Sequence, residues 1–489
     1  MHVAAERPAG VWLGSRLIIS LICILICFTL ARAETLEEAL AKAYQTNPDL
    51  AAERAGARAV DESVSQANAK WRPSVSVEGA YGLTSATAKE TGPKYNMRSQ
   101  TWSADLVAKQ PLLTSGRNGA AKKQALAKVR GANARLRTKE QRMLLEAVTV
   151  FVDVARNEAI LDLVRADIVL LQDLFKDFTT RRDAGKATDT DVDQIQASLE
   201  AARIQCIAHF AELQDSWRAY EQVIGERPQT TVAVADAPEV NPCINAKGER
   251  RRSTIVMPAT LPAPPATLEE VEEAAHGAVP ELDEARAEEE VARHAVSAAY
   301  AELLPSADLT ATIGTSGQEF QPESLRREAT LSAGISIPLF NSGSEWSEIR
   351  EARERNNQAK LKITSSQRQI LRDAVRAWYQ LVSIRAVRSV NKTQAATVLR
   401  AFEGLRKEMT DPKLHRSVTD LLGLRQVYLA TQTQLMESNR DEAVAIFQIL
   451  AAMGKLNATY LALPVEVYDP RSNLKRQAGR LVGDSVQGE

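Results

Sequence analysis

Histidine and cysteine, two residue types that often carry out chemistry in proteins, are sparse in this sequence. Five histidines are scattered along the chain, without the spacing of metal ligands. We find no serine nucleophile elbow, no paired carboxylates in a pocket-like context and no glycine-rich phosphate loop. The sequence therefore predicts no enzyme, no metal site and no cofactor.

Two of the four cysteines have an open role. Cys23 and Cys27 lie in the apolar N-terminal segment, outside any lipobox-like context, so we predict no lipid anchor. Cys206 and Cys243 would meet an oxidising compartment in an exported protein, where a disulfide can form. Two unpaired structural cysteines fit equally well, because sequence alone does not place them within bonding distance.

The N-terminal segment, 1–33, reads as a secretory signal. Its apolar stretch, Leu17–Leu30, is short for a membrane span, and Ala31–Ala33 has the A-x-A form of a cleavage site. The mature chain is expected to begin at Glu34; an uncleaved anchor is the alternative. No run of about 18 apolar residues follows, so a membrane-embedded form would have to be a β-barrel.

Composition favours long helices over an all-β protein. Of the 489 residues, 44% are hydrophobic and 25% charged, and only 5% are aromatic, while helix-forming residue types are plentiful. The net charge of −1 provides no electrostatic argument for a nucleic-acid partner.

Motifs from the first half recur in order in the second half, offset by 227 to 232 residues. The clearest pairs are 35–39 with 267–271, 71–74 with 303–306, 110–116 with 337–343, and 190–192 with 419–421. Ordered matches of this kind predict two structural repeats. The predicted divisions are a first repeat at 34–230, a linker at 231–264, a second repeat at 265–457 and a polar tail at 458–489, which is expected to be loosely ordered after Leu463. Within the linker, Leu261–Pro265 is proline-rich and is expected to be exposed.

Each repeat begins with a helical stretch and continues into two strands. Thr35 with Glu38, and Thr267 with Glu270, have capping-box spacing, and a proline closes each stretch at Pro73 or Pro305. Apolar and polar residues then alternate over the predicted strands, at 74–83, 100–110, 306–314 and 328–337. This length suits a tilted transmembrane strand, although a soluble hairpin also fits the pattern.

Two long helical stretches, 116–182 and 343–410, follow the strands without a proline. Each would span roughly 100 Å if continuous. Apolar residues recur at steps of three and four, as in a coiled-coil seam. They are Ile160, Val164, Ile168, Leu171, Phe175 and Phe178 in the first repeat, and Val398, Phe402, Leu405 and Met409 in the second. Return helices are expected over 189–225 and 417–454.

Four short strands cannot close a barrel, since about eight are needed to enclose even side chains. An open sheet edge in lipid would leave backbone groups without hydrogen bonds. Closure therefore requires several chains, and three would supply 12 strands.

The doubled order of elements resembles the TolC family of outer-membrane efflux and type I secretion channels. The residues that carry the resemblance are Pro73 and Pro305, Pro111–Gly116 and Pro338–Gly343, Gly185–Val192, Arg416–Leu422 and Leu450–Leu456. It implies a mainly α fold with a small β part, in two tandem repeats of coiled-coil helices plus a strand pair. A homotrimer would form a 12-stranded β-barrel in the lipid of the cell outer membrane, with an α-helical tunnel in the periplasm.

The resemblance also implies a function and partners. The channel would be the exit duct of a tripartite efflux pump or a type I secretion system. It would dock with a periplasmic adaptor protein and an inner-membrane transporter and perform no chemistry.

The turns that join the long and return helices would form the periplasmic gate of such a channel. By resemblance, Asp191 and Arg416 occupy the positions of a charge-assisted lock, supported by Thr190 and Gln194. Asp420 occupies the position of a luminal, cation-selective carboxylate ring.

This sequence departs from the family pattern near the gate. Gly423 replaces a second luminal aspartate, and Leu414 and Asp411 replace a glycine and a tyrosine. From spacing alone, Asp191 and Asp420 could instead cap their return helices.

Two other classes of protein compete with the channel. A periplasmic coiled-coil adaptor or scaffold explains the signal and the helices, but not four amphipathic strands at matched places in both repeats. A secreted enzyme lacks any recognisable active-site motif.

Overall fold

A computed structural model describes residues 34–88, 95–229, 243, 252–277, 279–318, 321–409 and 417–477. The predicted signal, 1–33, and part of the proposed gate, 410–416, lie outside these ranges. The described residues form nine α-helices and four β-strands. None of the described helices combines the length and apolar character needed to cross a membrane.

The elements of the two halves follow the same order. In the first half they are α1 (Leu36–Thr46), α2 (Pro48–Ala69), β1 (Ser74–Ala88), β2 (Tyr95–Leu113), α3 (Arg117–Asp183) and α4 (Asp189–Ile224). In the second they are α5 (Leu268–Gly277), α6 (Pro280–Glu302), β3 (Ser306–Gln318), β4 (Gln321–Ser336), α7 (Ser344–Glu408) and α8 (Val418–Ala452). A short helix, α9 (Pro470–Gln477), follows the second half.

The helical stretch at the start of each half is two helices, where the sequence analysis predicted one. The break falls before Pro48 and Pro280, each the first residue of the second helix. Proline lacks an N–H group and is tolerated in the first turn of a helix, but not in the interior. The Leu50 backbone N–H donates to the Asn47 side chain at 3.1 Å and so caps α2.

The predicted capping box is complete at the first helix only. The Glu38 N–H donates to Thr35 Oγ1 at 3.2 Å, and the Thr35 N–H donates to Glu38 Oε2 at 3.1 Å. At the second, the Glu270 N–H donates to Thr267 Oγ1 at 3.3 Å, but the Glu270 carboxylate accepts from Ala266 N at 3.1 Å. The donor of the reciprocal bond is therefore the Ala266 N–H, one residue before Thr267.

The strands form one antiparallel sheet in the order β1-β2-β3-β4, so the β2–β3 pairing joins the two halves. Val77 lies opposite Leu106, which lies opposite Ile313, and all three side chains are exposed. One face of the sheet is therefore apolar and uncovered in the protomer.

All four strands are longer than the sequence pattern predicted. They contain 15, 19, 13 and 16 residues. Strand pairing continues past the end of the apolar alternation, as where Thr87 lies opposite Asn96. Backbone hydrogen bonds sustain this pairing without an apolar face, which is why alternation underestimates strand length.

The long helices α3 and α7 are continuous over 67 and 65 residues, as predicted. Each starts from the same left-handed turn, at Gly116 with φ 90° and Gly343 with φ 83°. Glycine adopts this conformation without steric cost, which explains the shared Ser-Gly before both helices.

Helix α3 is the central element of the protomer and packs against α1, α2, α4, α6 and α8. Five of its six predicted seam residues are buried, and Phe175 is partly buried. In α7, which packs against α5, α6 and α8, Phe402 is buried, whereas Val398, Leu405 and Met409 are only partly so. The seam is confirmed in α3 and is weaker in α7.

The proline-rich linker is less exposed than expected. Leu261 packs against the apolar cores of both halves, and Pro265 is buried. Cys243 forms a disulfide with Cys206 of α4, with a Cα–Cα distance of 5.7 Å, and both residues are fully buried. The disulfide alternative therefore holds, and it ties the linker to the first half.

The expectation of a loosely ordered tail after Leu463 is wrong as far as residue 477. Leu463 is buried in an apolar core that both halves share, and the Tyr468 N–H donates to the Tyr44 hydroxyl at 3.1 Å. Asn473 Nδ2 donates to Asp61 Oδ2 at 2.8 Å, and both side chains are buried. Because these anchors have specific partners, a mostly polar segment packs firmly.

Candidate functional site

The turn between α3 and α4 is fixed by backbone bonds around a left-handed glycine. Gly185 has φ 72°, and the Lys186 N–H donates to the Arg181 carbonyl at 2.8 Å. Such a turn satisfies free carbonyls at the end of a helix. The matching turn, which holds Arg416, Leu414 and Asp411, lies outside the described residues.

Asp191 takes part in a capping box with Thr188. Its Oδ2 accepts from the Thr188 N–H at 3.0 Å and from the Thr188 hydroxyl at 2.7 Å. In return, the Asp191 N–H donates to Thr188 Oγ1 at 3.1 Å. The helix-cap interpretation of Asp191 therefore applies, with Thr188 as the N-cap residue, a role that the sequence analysis did not assign to it.

Gln194 connects the tips of the two return helices. The Thr419 hydroxyl donates to Gln194 Oε1 at 3.1 Å, and both side chains are exposed. Thr190 is exposed in the first turn of α4. Of the predicted gate residues, the structure thus places Thr190, Asp191 and Gln194 at one tip, with Gln194 next to α8.

Asp420 lies in the first turn of α8 and is exposed. Ser417, rather than Asp420, caps this helix by accepting from the Thr419 N–H at 3.2 Å. Gly423 is one turn further on, and no described atom beyond its chain neighbours and the adjacent backbone of its own helix lies within 4 Å of where its Cβ would be. The face that carries Asp420 and Gly423 is therefore uncovered in the protomer.

Arg181 is a tip residue that the sequence analysis missed. Its guanidinium pairs with Asp177 at 2.8 Å and lies 5.1 Å from the centre of the Phe178 ring. Its Nη1 also donates to the Met409 carbonyl at 3.4 Å, at the end of α7. Arg181 therefore satisfies a free carbonyl of the other half, where helix ends favour cations.

Behind these polar contacts the two halves meet through apolar side chains. Phe178, Val192 and Ile195 of the first half pack with Val418 of α8, and all four are buried. The tip thus has an apolar interior and a polar outer rim.

Deeper in the protomer, an ion pair joins α3 to α8. Arg425 Nη1 donates to Asp167 Oδ2, and the two side chains are 11% and 3% exposed. Burial raises the pKa of Asp167 to about 6, against the lowering effect of the Arg425 charge. Desolvation outweighs the attraction because a charge is costly in a low-dielectric interior.

Metal binding finds no support among the described residues, where no cluster of three histidine, cysteine, aspartate or glutamate side chains could hold an ion. The site is built from helix caps, cross-helix bonds and charges, which can hold helices together.

Relatives of known identity match both halves of the chain. The family described as outer membrane efflux protein matches residues 39–226 and 273–455. Outer membrane efflux protein BepC of Brucella suis is 26% identical over 457 residues, covering 91% of each chain. Alkaline protease secretion protein AprF of Pseudomonas aeruginosa is 24% identical over 337 residues, covering 68% of this chain and 65% of that protein.

A similar fold is found among solved structures. The CmeC outer membrane channel of Campylobacter jejuni has a TM-score of 0.70 at 12% identity, covering 91% of this chain and 89% of that one. Since the family match takes in most of both repeats, the chain belongs to the outer membrane efflux protein family, and it is a channel of the cell outer membrane.

Proposed function

We propose that this channel works as a homotrimer and is the exit duct for a periplasmic adaptor protein and an inner-membrane transporter. Channels of this family are trimeric and work with such partners. Substrates would pass through it passively from the transporter to the outside. The periplasmic adaptor alternative for the chain itself is set aside, because the family match takes in both halves.

One observation carries this proposal: each protomer contributes a four-stranded sheet with two free edges, β1 and β4. In lipid, the backbone groups along such edges need hydrogen-bond partners. Edge-to-edge pairing of three copies supplies them and gives a barrel of 12 strands, wide enough for an aqueous lumen. The exposed apolar face of the sheet would then contact outer-membrane lipid.

The proposed gate lies at the opposite end, at the helical tips. Asp191 and Arg416 would form a charge-assisted bond, with Thr190 and Gln194 beside it. Capping of α4 does not conflict with this role, because a carboxylate has about four acceptor sites and the cap uses Oδ2. The Gln194–Thr419 bond supports the lock by showing that the two tips are within hydrogen-bonding reach.

Asp420 would form the luminal ring. Under threefold symmetry its exposed carboxylate is repeated three times around the axis, which favours cations and repels anions. Gly423 adds no second ring one turn away, so we expect weaker cation preference than two rings would produce.

Single-channel recording in a planar lipid bilayer tests the pore and the lock together. The mature protein, from Glu34 onward, should produce uniform conductance steps, and Arg416→Ser should enlarge them. Arg400→Ser is the matched control, since Arg400 is exposed on α7 away from the turn. Asp420→Asn should reduce the preference for cations, measured as reversal potential in a salt gradient.

Two results would count against the proposal. Conductance steps that Arg416→Ser leaves unchanged would support the channel and contradict the lock. Absence of insertion, with a protein that stays monomeric, would contradict the trimeric duct.

A further inference from the structure

Two acidic–arginine pairs join α3 of the first half to α8 of the second. Arg440 binds Asp153 through Nε at 2.7 Å and Nη2 at 3.2 Å. Further toward the tip, Arg425 binds Asp167. The spacing is 14 residues on α3 and 15 on α8, in opposite directions, so both pairs lie along one antiparallel interface about 20 Å apart.

The two pairs differ in burial. Both side chains of the Asp153–Arg440 pair are 23% exposed, whereas Asp167 and Arg425 are 3% and 11% exposed. Water can replace a lost partner at the first pair but not at the second. The Asp167–Arg425 pair is therefore the contact at which loss of one charge leaves the other without compensation.

The guanidinium of Arg425 is held from one side. Its Nη1 binds Asp167, while its buried Nε has no hydrogen-bond partner among the described residues. Tyr428, one turn along α8, stacks on Phe402 of α7 with ring centres 5.2 Å apart. The position of α8 at this level thus depends on Asp167 on one side and on α7 on the other.

The polar contacts between the two halves become weaker between this pair and the tip, where the buried Val418 also packs on apolar side chains of the first half. Thr419, which binds Gln194, is six residues before Arg425, roughly 9 Å along the helix. That bond is exposed and neutral, and the Arg181 contact to Met409 is long at 3.4 Å. Exposed contacts of this kind break at little cost, whereas a buried charge pair does not.

We propose that Asp167 and Arg425 are the positioning residues of the periplasmic gate, a pivot that holds α8 against α3. Opening then moves the part of α8 before Arg425 and leaves the part after Arg425 in place. The inference rests on the gate proposed above. It places the inner limit of the gate's movement at the Asp167–Arg425 pair.

Planar-bilayer conductance of four variants tests the pivot. Asp167→Asn keeps the shape of the side chain but strands the Arg425 charge, and we expect a severalfold rise in conductance of the closed state. Asp167→Asn with Arg425→Met removes both charges and should restore wild-type conductance, which a purely structural lesion would not do. Asp153→Asn, on the same two helices, is the matched control and should leave conductance unchanged. Arg425→Lys keeps the charge without the planar fork and should produce an intermediate rise.

The outcomes separate the pivot from the gate. If Arg416→Ser enlarges the steps and Asp167→Asn does not, the gate stands and the pivot is overturned. A rise that the double variant fails to reverse, or that Asp153→Asn equals, also overturns the pivot. If Asp167→Asn does not assemble, the double variant and Arg425→Lys decide by the same criteria. Absence of any channel from the wild-type protein overturns both proposals.

Discussion

The two long helices have nearly the same length and the same place in their repeats, yet they are buried to very different degrees. Helix α3 is covered by five other helices of the protomer, whereas α7 is covered by three. Ala147 of α3 and Ala374 of α7, related by the 227-residue offset, are both fully buried. This position is thus enclosed in both repeats.

Other equivalent positions are buried in α3 and exposed in α7. Val152 is 0% exposed and its counterpart Tyr379 is 60% exposed. Ile160 is 4% exposed, and its counterpart Val387 is 51% exposed. An exposed apolar face on a long helix marks an interaction surface. The two repeats therefore contain one helix that organises the protomer and one with an apolar face that the described part of the protomer leaves exposed.

Removing an aromatic side chain should show the difference in burial between α3 and α7 most clearly. Phe151→Ala should lower the free energy of unfolding by about 3–5 kcal/mol, since the ring is fully buried in the main core. Trp378→Ala, at the equivalent position in α7, should cost markedly less because Trp378 is only partly buried. Urea unfolding followed by circular dichroism measures both. Equal losses would contradict the difference in burial.

The buried charge on α3 should make stability depend on pH. Burial raises the pKa of Asp167 to about 6 from the ordinary value of 3.8. Between about pH 4 and pH 6, the folded protein therefore holds a proton on Asp167 that the unfolded chain has lost. This contribution to stability is fully present below about pH 4 and is lost as pH rises through about 6.

A comparison with Asp167→Asn isolates this effect from the other carboxylates. We expect the stability of the wild type, relative to the variant, to fall by roughly 2 kcal/mol between about pH 4 and pH 7. Parallel curves for the two proteins across this range would show that Asp167 titrates as in water.

Charge on the exposed face of α7 should weaken assembly rather than folding. Tyr379→Asp places a carboxylate where another chain would cover the helix, and we expect a loss of about 1–2 kcal/mol per protomer in association. Light scattering in detergent measures the oligomer, and circular dichroism should show unchanged helicity. The control, Val152→Ala, should do the opposite, lowering the unfolding midpoint while leaving the oligomer intact.

The smallest expected effect is at the tip. Gln194→Ala removes one exposed neutral hydrogen bond to Thr419, worth less than about 1 kcal/mol. We expect a slight rise in conductance and an unchanged unfolding midpoint. Asp191→Asn should have a larger effect, because it weakens both capping bonds to Thr188 as well as the proposed lock. A reversed ranking would show that Gln194, and not Asp191, holds the tips together.

Much of the fold could be predicted because its signals are local and periodic. Alternation located all four strands, and steps of three and four located the seam of α3. The breaks at Pro48 and Pro280 had a local signal too, since proline is favoured in the first turn of a helix. The strand ends had none, because pairing between backbones extends past the apolar alternation.

The candidate site was predictable only in part. Spacing after the turn correctly allowed Asp191 as a capping residue, whereas the roles of Arg416 and Asp420 remain proposals. The Asp167–Arg425 pair joins residues 258 apart in sequence. With 61 lysines and arginines in the chain, no pattern marks which one faces Asp167.

By itself, the sequence determined the duplication, the types of the elements and their order, because helix and strand periodicity, prolines and caps act within a few residues. Only the tertiary structure decided which copy of the long helix is enclosed, that Cys206 bonds Cys243, that the tail packs on the first half and that Arg425 meets Asp167. Each of these depends on surfaces that distant segments bring together. A buried charge such as that of Arg425 needs a partner, because leaving it unpaired is energetically costly.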